Sequence, residues 1–156
     1  MNPNIIKRGE IILAGTSGDG NKTGEVWEAF GKLSSEKPIA NKLSDNGYEV
    51  RLYEGEKSTV FTGVSVADEQ VGSDYVIFKI PPAKYASFDV YVASGYDSEN
   101  NAMEEWLRTN KEGYSERLLG GSHYCVEFYD ERFNGRESGS IVEIWIPIEK
   151  KSDEQK

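Results

Sequence analysis

The sequence predicts an α+β fold: a duplicated β-α-β-β module, its halves related by a pseudo-twofold, giving an antiparallel sheet with two main helices and a central cleft. Three observations carry it. The order strand, polar loop, amphipathic helix, strand, strand occurs twice in 156 residues; Trp27 and Trp106 fall on corresponding helices; and Leu52-Tyr53-Glu54 matches Phe128-Tyr129-Asp130. That match sets Arg51 in one copy against Glu127 in the other. Units that cannot bury an apolar face alone close on one another, and the seam between them is a frequent place for ligands.

The first copy, about 5–67, opens with an apolar strand over 10–15 and a polar loop over 15–23. Val26, Phe30 and Leu33 then recur at helical spacing. A polar link with Pro38 over 34–46 leads to strands at 48–54 and 60–66, joined by a hairpin turn at 54–57. A strand over 75–80 follows, and Pro81-Pro82 interrupts its pairing with the next strand and marks the junction of the halves.

The second copy, about 74–149, repeats the order. Over 85–92 Ala86, Phe88, Val90 and Val92 alternate with Tyr85, Ser87, Asp89 and Tyr91, a period-two strand. Ser98 and the polar residues after it start a helix carrying Met103, Trp106 and Leu107. Strands over 124–129 and 141–148 complete the module, joined by an exposed loop with Asn134-Gly135 and Gly139. The chain reads as one domain over 1–149, with 150–156 a charged tail expected to be disordered.

Composition narrows the partners. Asp and Glu total 27 against 18 for Lys and Arg, and the net charge of −9 opposes phosphate backbones, so direct nucleic-acid binding is not expected. Cys125 stands alone, which excludes an internal disulfide and fits a reducing, cytoplasmic setting. No apolar run is long enough to span a bilayer, and residues 1–7 lack the apolar core of a signal peptide, so no membrane partner is expected.

Two motifs fail on inspection. Gly15, Gly20, Lys22 and Thr23 nearly spell a phosphate-binding loop, but Asn21 puts the lysine one residue late. His123 and Cys125 share a strand face, yet no other histidine or cysteine exists to complete a zinc site, and residues two apart on a strand do not point at one another. No metal or other cofactor is expected.

Glu127 is the candidate that survives. It lies on the mixed face of an apolar strand beside Cys125 and Tyr129, within reach of Trp145 or Ile141 on a neighbouring strand. A carboxylate among rings can make a salt bridge to Arg51, anchor a cationic ligand, or act as an acid or base with a raised pKa. Tyr53, Tyr85, Tyr91, Tyr129 and Trp145 all fall on mixed faces, and nine Tyr and three Trp suffice to line a cavity. Such walls hold planar or cationic molecules by stacking and cation–π attraction, which favours the ligand role.

The stretch Phe78-Lys79-Ile80-Pro81-Pro82-Ala83-Lys84-Tyr85-Ala86-Ser87-Phe88, the helix with Trp106, Val126-Glu127-Phe128-Tyr129-Asp130 and Glu143-Ile144-Trp145-Ile146-Pro147-Ile148 together resemble the gyrase-inhibitor-like domains, also called AraC-type effector-binding domains. The resemblance covers nearly the whole chain. It implies a duplicated module around a ligand pocket, a pocket glutamate at Glu127 facing lipophilic cations, and aromatic walls at Trp106, Tyr129 and Trp145. The first strand begins too near Met1 for a helix-turn-helix, so the chain is similar to stand-alone members. The expected function is capture of a small hydrophobic or cationic molecule. The alternatives are a hydrolase using Glu127 and a tyrosine, and an acidic protein inhibitor of a DNA enzyme such as gyrase, which would need a protein partner.

Overall fold

Among the described residues, nine strands and two principal helices follow one another as two similar halves. The computed structural model describes residues 2–135 and 137–151. The first half runs β1 (Asn4–Arg8), β2 (Ile11–Asp19), α1 (Thr23–Glu36), β3 (Gly47–Glu54) and β4 (Lys57–Ser65). The second runs β5 (Val76–Ile80), β6 (Ala83–Tyr91), α2 (Tyr96–Thr109), β7 (Tyr114–Glu116), β8 (His123–Tyr129) and β9 (Ile141–Lys150). The strands form one antiparallel sheet in the order β1-β6-β9-β8-β3-β4-β2-β5, with β7 added beside β9.

Read from either end, that order visits equivalent strands of the two halves. At its centre β3 pairs with β8, with Val50 opposite Val126. About that pair Arg51 and Glu127 are equivalent, as the repeat predicts, but their cross-strand partners are Cys125 and Glu49. The first strand of each half belongs to the other: β1 pairs with β6, and β5 pairs with β2. Pro81 and Pro82 fit this exchange. They turn the chain so that Ile80 pairs with Ile11 while Ala83 pairs with Arg8.

Two strands fall outside the sequence prediction, β1 with the residues NIIKR and the three-residue β7. Neither is long enough to show an alternation, and both are fixed by their partners. The helix expected to start near Ser98 begins at Tyr96. Of the expected tail, Lys150 ends β9, and residues 152–156 lie outside the described residues.

Both helices cover one face of the sheet. Beneath α1 lie Ala14, Ile39, Val64, Val66 and Tyr75, with Phe30 and Leu33 packed on them. Thr16 Oγ1 donates to the Val26 carbonyl at 2.9 Å, which ties the helix to β2. Beneath α2 lie Ala86, Phe88, Val90 and Val142, with Met103, Trp106 and Leu107 of the helix against them. The opposite face holds the third cluster, which joins Leu13, Tyr48, Val50, Ile80, Tyr85, Tyr124, Val126 and Trp145. Ile6 of β1 and Phe78 of β5 both pack on it, so the sheet curls until its two ends share one core. The helices stand apart over the central strands, and the space between them is the site.

Candidate functional site

A cavity of about 1250 Å³ lies over β3 and β8 between the two helices. Its floor follows from period-two geometry. Glu127 pairs with Glu49 on one side and Ile144 on the other, so these three side chains share a face. Arg51, Tyr53, Cys125 and Tyr129 occupy the same face, and Trp27, Met103 and Leu107 lean in from the helices.

Glu49 is only 3% exposed. Trp27 Nε1 donates to its Oε1 at 2.9 Å, and Arg51 Nη2 approaches its Oε2 at 3.3 Å. Arg51 also donates to the Gly20 carbonyl at 2.8 Å and to Thr23 Oγ1 at 2.7 Å, so the loop before α1 fixes the guanidinium. Gly20 is required there, since a β-carbon would fall 1.9 Å from Ser58 Oγ. Gly47 has a related role at the other end of β3. A β-carbon on it would lie 3.2 Å from the Trp27 ring, which rests over that position.

Glu127 sits in different company. The Tyr129 hydroxyl donates to its Oε1 at 3.1 Å, while the Tyr129 ring meets Trp27 edge-on at 5.6 Å and Phe133 at 4.8 Å. Burial raises the Glu127 pKa well above the usual carboxylate range, and the hydrogen bond and charge of Glu49 raise it further; Tyr129 and Arg51 oppose this without cancelling it. Burial likewise pushes the Cys125 thiol up to about 12, with Glu127 adding to the effect. That thiol is not a nucleophile near neutral pH.

Of the residues singled out in the sequence, Glu127 and Tyr129 meet in the cavity and Trp106 and Trp145 do not. Trp106 packs behind α2, against Phe88 at 5.8 Å and stacked on Tyr114 at 6.5 Å. Trp145 is opposite Val126, so it shares that residue's face and points away from the cavity; Ile144 and Ile146 are the β9 residues that line it. The mixed face of β9 is therefore the buried back of the sheet, and the same holds for Tyr85 on β6. The salt bridge from Arg51 to Glu127 does not form, because Arg51 turns to Gly20, Thr23 and Glu49. His123 pairs with Glu116 at 3.0 Å at the cavity edge.

Sequence reasoning missed Trp27 and Glu49 as site residues. Both left a signal. Glu49 shares the period-two face of Arg51, and Trp27 is the helix-one counterpart of a tryptophan already singled out.

The family model described as Cass2, an integron-associated effector binding protein, matches residues 8–148. The chain belongs to this effector-binding family. None of the curated proteins matches it. Among solved structures, SAV2435 bound to tetraphenylphosphonium superposes with a TM-score of 0.72 at 14% identity, over 99% of this chain and 98% of that one. The C-terminal domain of EcmrR gives 0.64 at 19% identity, over 96% and 98%. The integron cassette protein VCH_CASS2 of Vibrio cholerae gives 0.59 at 16% identity, over 96% and 97%. At such identities the likeness shows the fold, and the fold of this effector-binding domain is the one the gyrase-inhibitor-like resemblance implies.

Proposed function

We propose that this effector-binding domain captures small aromatic or hydrophobic cations between α1 and α2, with Glu127 as anionic anchor and Trp27 and Tyr129 as walls. The observation that carries the reading is the Glu127 carboxyl itself: it is set among rings, and among the described residues no lysine or arginine makes an ion pair with it. A cation entering here meets a carboxyl that no described lysine or arginine pairs with, and two aromatic faces. The cavity exceeds the usual range for drug-sized ligands, which suits a bulky guest, and tetraphenylphosphonium, the ligand of SAV2435, is such a cation. In this reading Trp106 backs the α2 wall and Trp145 contributes only to folding. A cytoplasmic setting belongs to the same proposal, supported by the lone Cys125. No described helix is long and apolar enough to cross a membrane.

Titration with tetraphenylphosphonium tests the reading. Binding is expected to quench tryptophan fluorescence and raise the melting temperature. Trp27→Phe should remove most of the quenching, while Trp106→Phe and Trp145→Phe leave it in place. No thermal shift, or quenching that survives Trp27→Phe, would sink this site. The net charge of −9 also leads us to expect no salt-sensitive binding to duplex DNA, and a mobility shift at low salt that fades at moderate salt would contradict that.

One observation favours a second reading. The Tyr129 hydroxyl on Glu127 is an acid–base pair within hydrogen-bond distance, the constellation a hydrolase would use. Mass spectrometry of candidate ligands after prolonged incubation decides between them. Multiple turnovers that vanish in Glu127→Gln would replace the binding module with an enzyme.

A further inference from the structure

The β3–β8 register sets two carboxyl groups side by side on the cavity floor, Glu49 opposite Glu127. Their surroundings differ. Glu49 accepts from Trp27 Nε1 on one oxygen and from the Arg51 guanidinium on the other. Glu127 receives the Tyr129 hydroxyl and lies directly across the β3–β8 pair from Glu49. Two buried carboxyl groups held side by side cannot both ionise cheaply, because their like charges repel. Burial and the neighbouring Glu49 both disfavour the Glu127 anion, so the proton falls to Glu127. The remaining groups around Glu127 do not reverse this. β3 adds Arg51, which is turned toward Gly20 and Thr23, and Tyr53; β8 adds Cys125; β9 presents Ile144; α2 presents Glu104 at the cavity wall.

We propose that Glu49 is a positioning residue, clamped by Trp27 and Arg51 so that Glu127 holds a proton in the empty cavity, and that ligand capture exchanges a cation for that proton. The inference rests on the proposed function and deepens it. In the exchange the Glu127 O–H bond breaks, its electron pair stays on the carboxylate beside the incoming cation, and the proton leaves to solvent. The empty cavity then carries no bare, unpaired Glu127 charge, which would be costly in so apolar a place. A neutral aromatic guest displaces nothing and gains no charge contact. Cation affinity therefore rises with pH, by about tenfold per pH unit while Glu127 remains protonated, and the affinity of neutral analogues does not.

Titration calorimetry of the full chain with tetraphenylphosphonium, near neutral pH and in buffers of different protonation heat, counts the protons. A net release of protons, at most one per ligand bound, is expected. Glu49→Gln keeps the size of the side chain and replaces the neighbouring carboxyl with an amide that can donate to Glu127, which lowers the Glu127 pKa while burial still raises it. Proton release should then decrease and the rise of affinity with pH should move to lower pH, outcomes that a purely structural Glu49 would not produce. Infrared spectra of the ligand-free protein supply a measurement that does not depend on that variant folding: a protonated-carboxyl band is expected in the wild type and is lost in Glu127→Gln. Binding without proton release, release unchanged in Glu49→Gln, or absence of the infrared band overturns the exchange and leaves the proposed function standing. Absence of any binding overturns the proposed function, and the exchange with it.

Discussion

Replacing Trp145 with alanine is expected to destabilise the fold by about 3–5 kcal/mol and to leave ligand affinity unchanged in the fraction that remains folded. The indole is 2% exposed at the centre of the back-face core. It stacks on Phe128 at 5.4 Å and meets Tyr85 at 5.6 Å and Tyr48 at 6.0 Å, while Arg8 covers its ring at 5.2 Å. Its Nε1 donates to Glu143 Oε1 at 2.7 Å, and Glu143 also receives Ser87 and Arg132. Alanine would leave a void where the strands from both ends of the sheet converge, and such voids close only in part. Trp145→Phe should cost less, since a ring is kept and Glu143 retains its other donors. Denaturant unfolding gives the stability and a tetraphenylphosphonium titration gives the affinity. A variant with unchanged stability and weakened ligand binding would mean that Trp145 faces the ligand after all.

Trp145 also shows where sequence reading stops. The alternation of Val142, Ile144, Ile146 and Ile148 with Ile141, Glu143, Trp145 and Pro147 divides β9 into two faces, and the structure keeps that division. What alternation cannot say is which face meets the helices. That choice follows from register, Val126 opposite Trp145 and Glu127 opposite Ile144, and register is a tertiary fact. The repeat was legible because it is written in local patterns: two helical periodicities, paired strands, and matching tripeptides on β3 and β8. It also predicted that Arg51 and Glu127 are equivalent, which they are about the Val50–Val126 pair.

Equivalence was nonetheless misleading about contact. In an antiparallel pair around a pseudo-twofold, equivalent residues sit diagonally, and each faces the neighbour of the other. Arg51 thus lies opposite Cys125, and Glu127 lies opposite Glu49. The exchange of β1 and β5 between halves was illegible for a different reason. A five-residue edge strand has too few residues to declare a face, and the partner that defines it is far away in sequence. Trp27 was visible as a landmark and missed as a wall, because its approach to Tyr129 depends on the bare backbone of Gly47.

Glu127→Gln is expected to weaken cationic ligands by about 1–3 kcal/mol, roughly 5- to 150-fold, and to leave neutral ligands of the same shape nearly unchanged. The substitution keeps volume and can keep the Tyr129 hydroxyl as a partner, so it removes charge with little else. The same variant is expected to be more stable than the wild type at neutral pH. The sign follows from the direction of the shift. The Glu127 pKa is raised in the folded protein, so as pH climbs above the ordinary carboxylate range the unfolded chain loses this proton first, and the folded state is left binding more protons than the unfolded one. Stability from this group is therefore full at acid pH, falls as pH rises towards the raised folded value, and levels off beyond it; glutamine removes the slope. Melting temperatures of both proteins across that range, with affinities for tetraphenylphosphonium and a neutral analogue at each pH, test both expectations together. Equal losses for charged and neutral ligands, with a lower melting temperature in the variant at neutral pH, would make Glu127 part of the scaffold and remove the anchor from the proposed site.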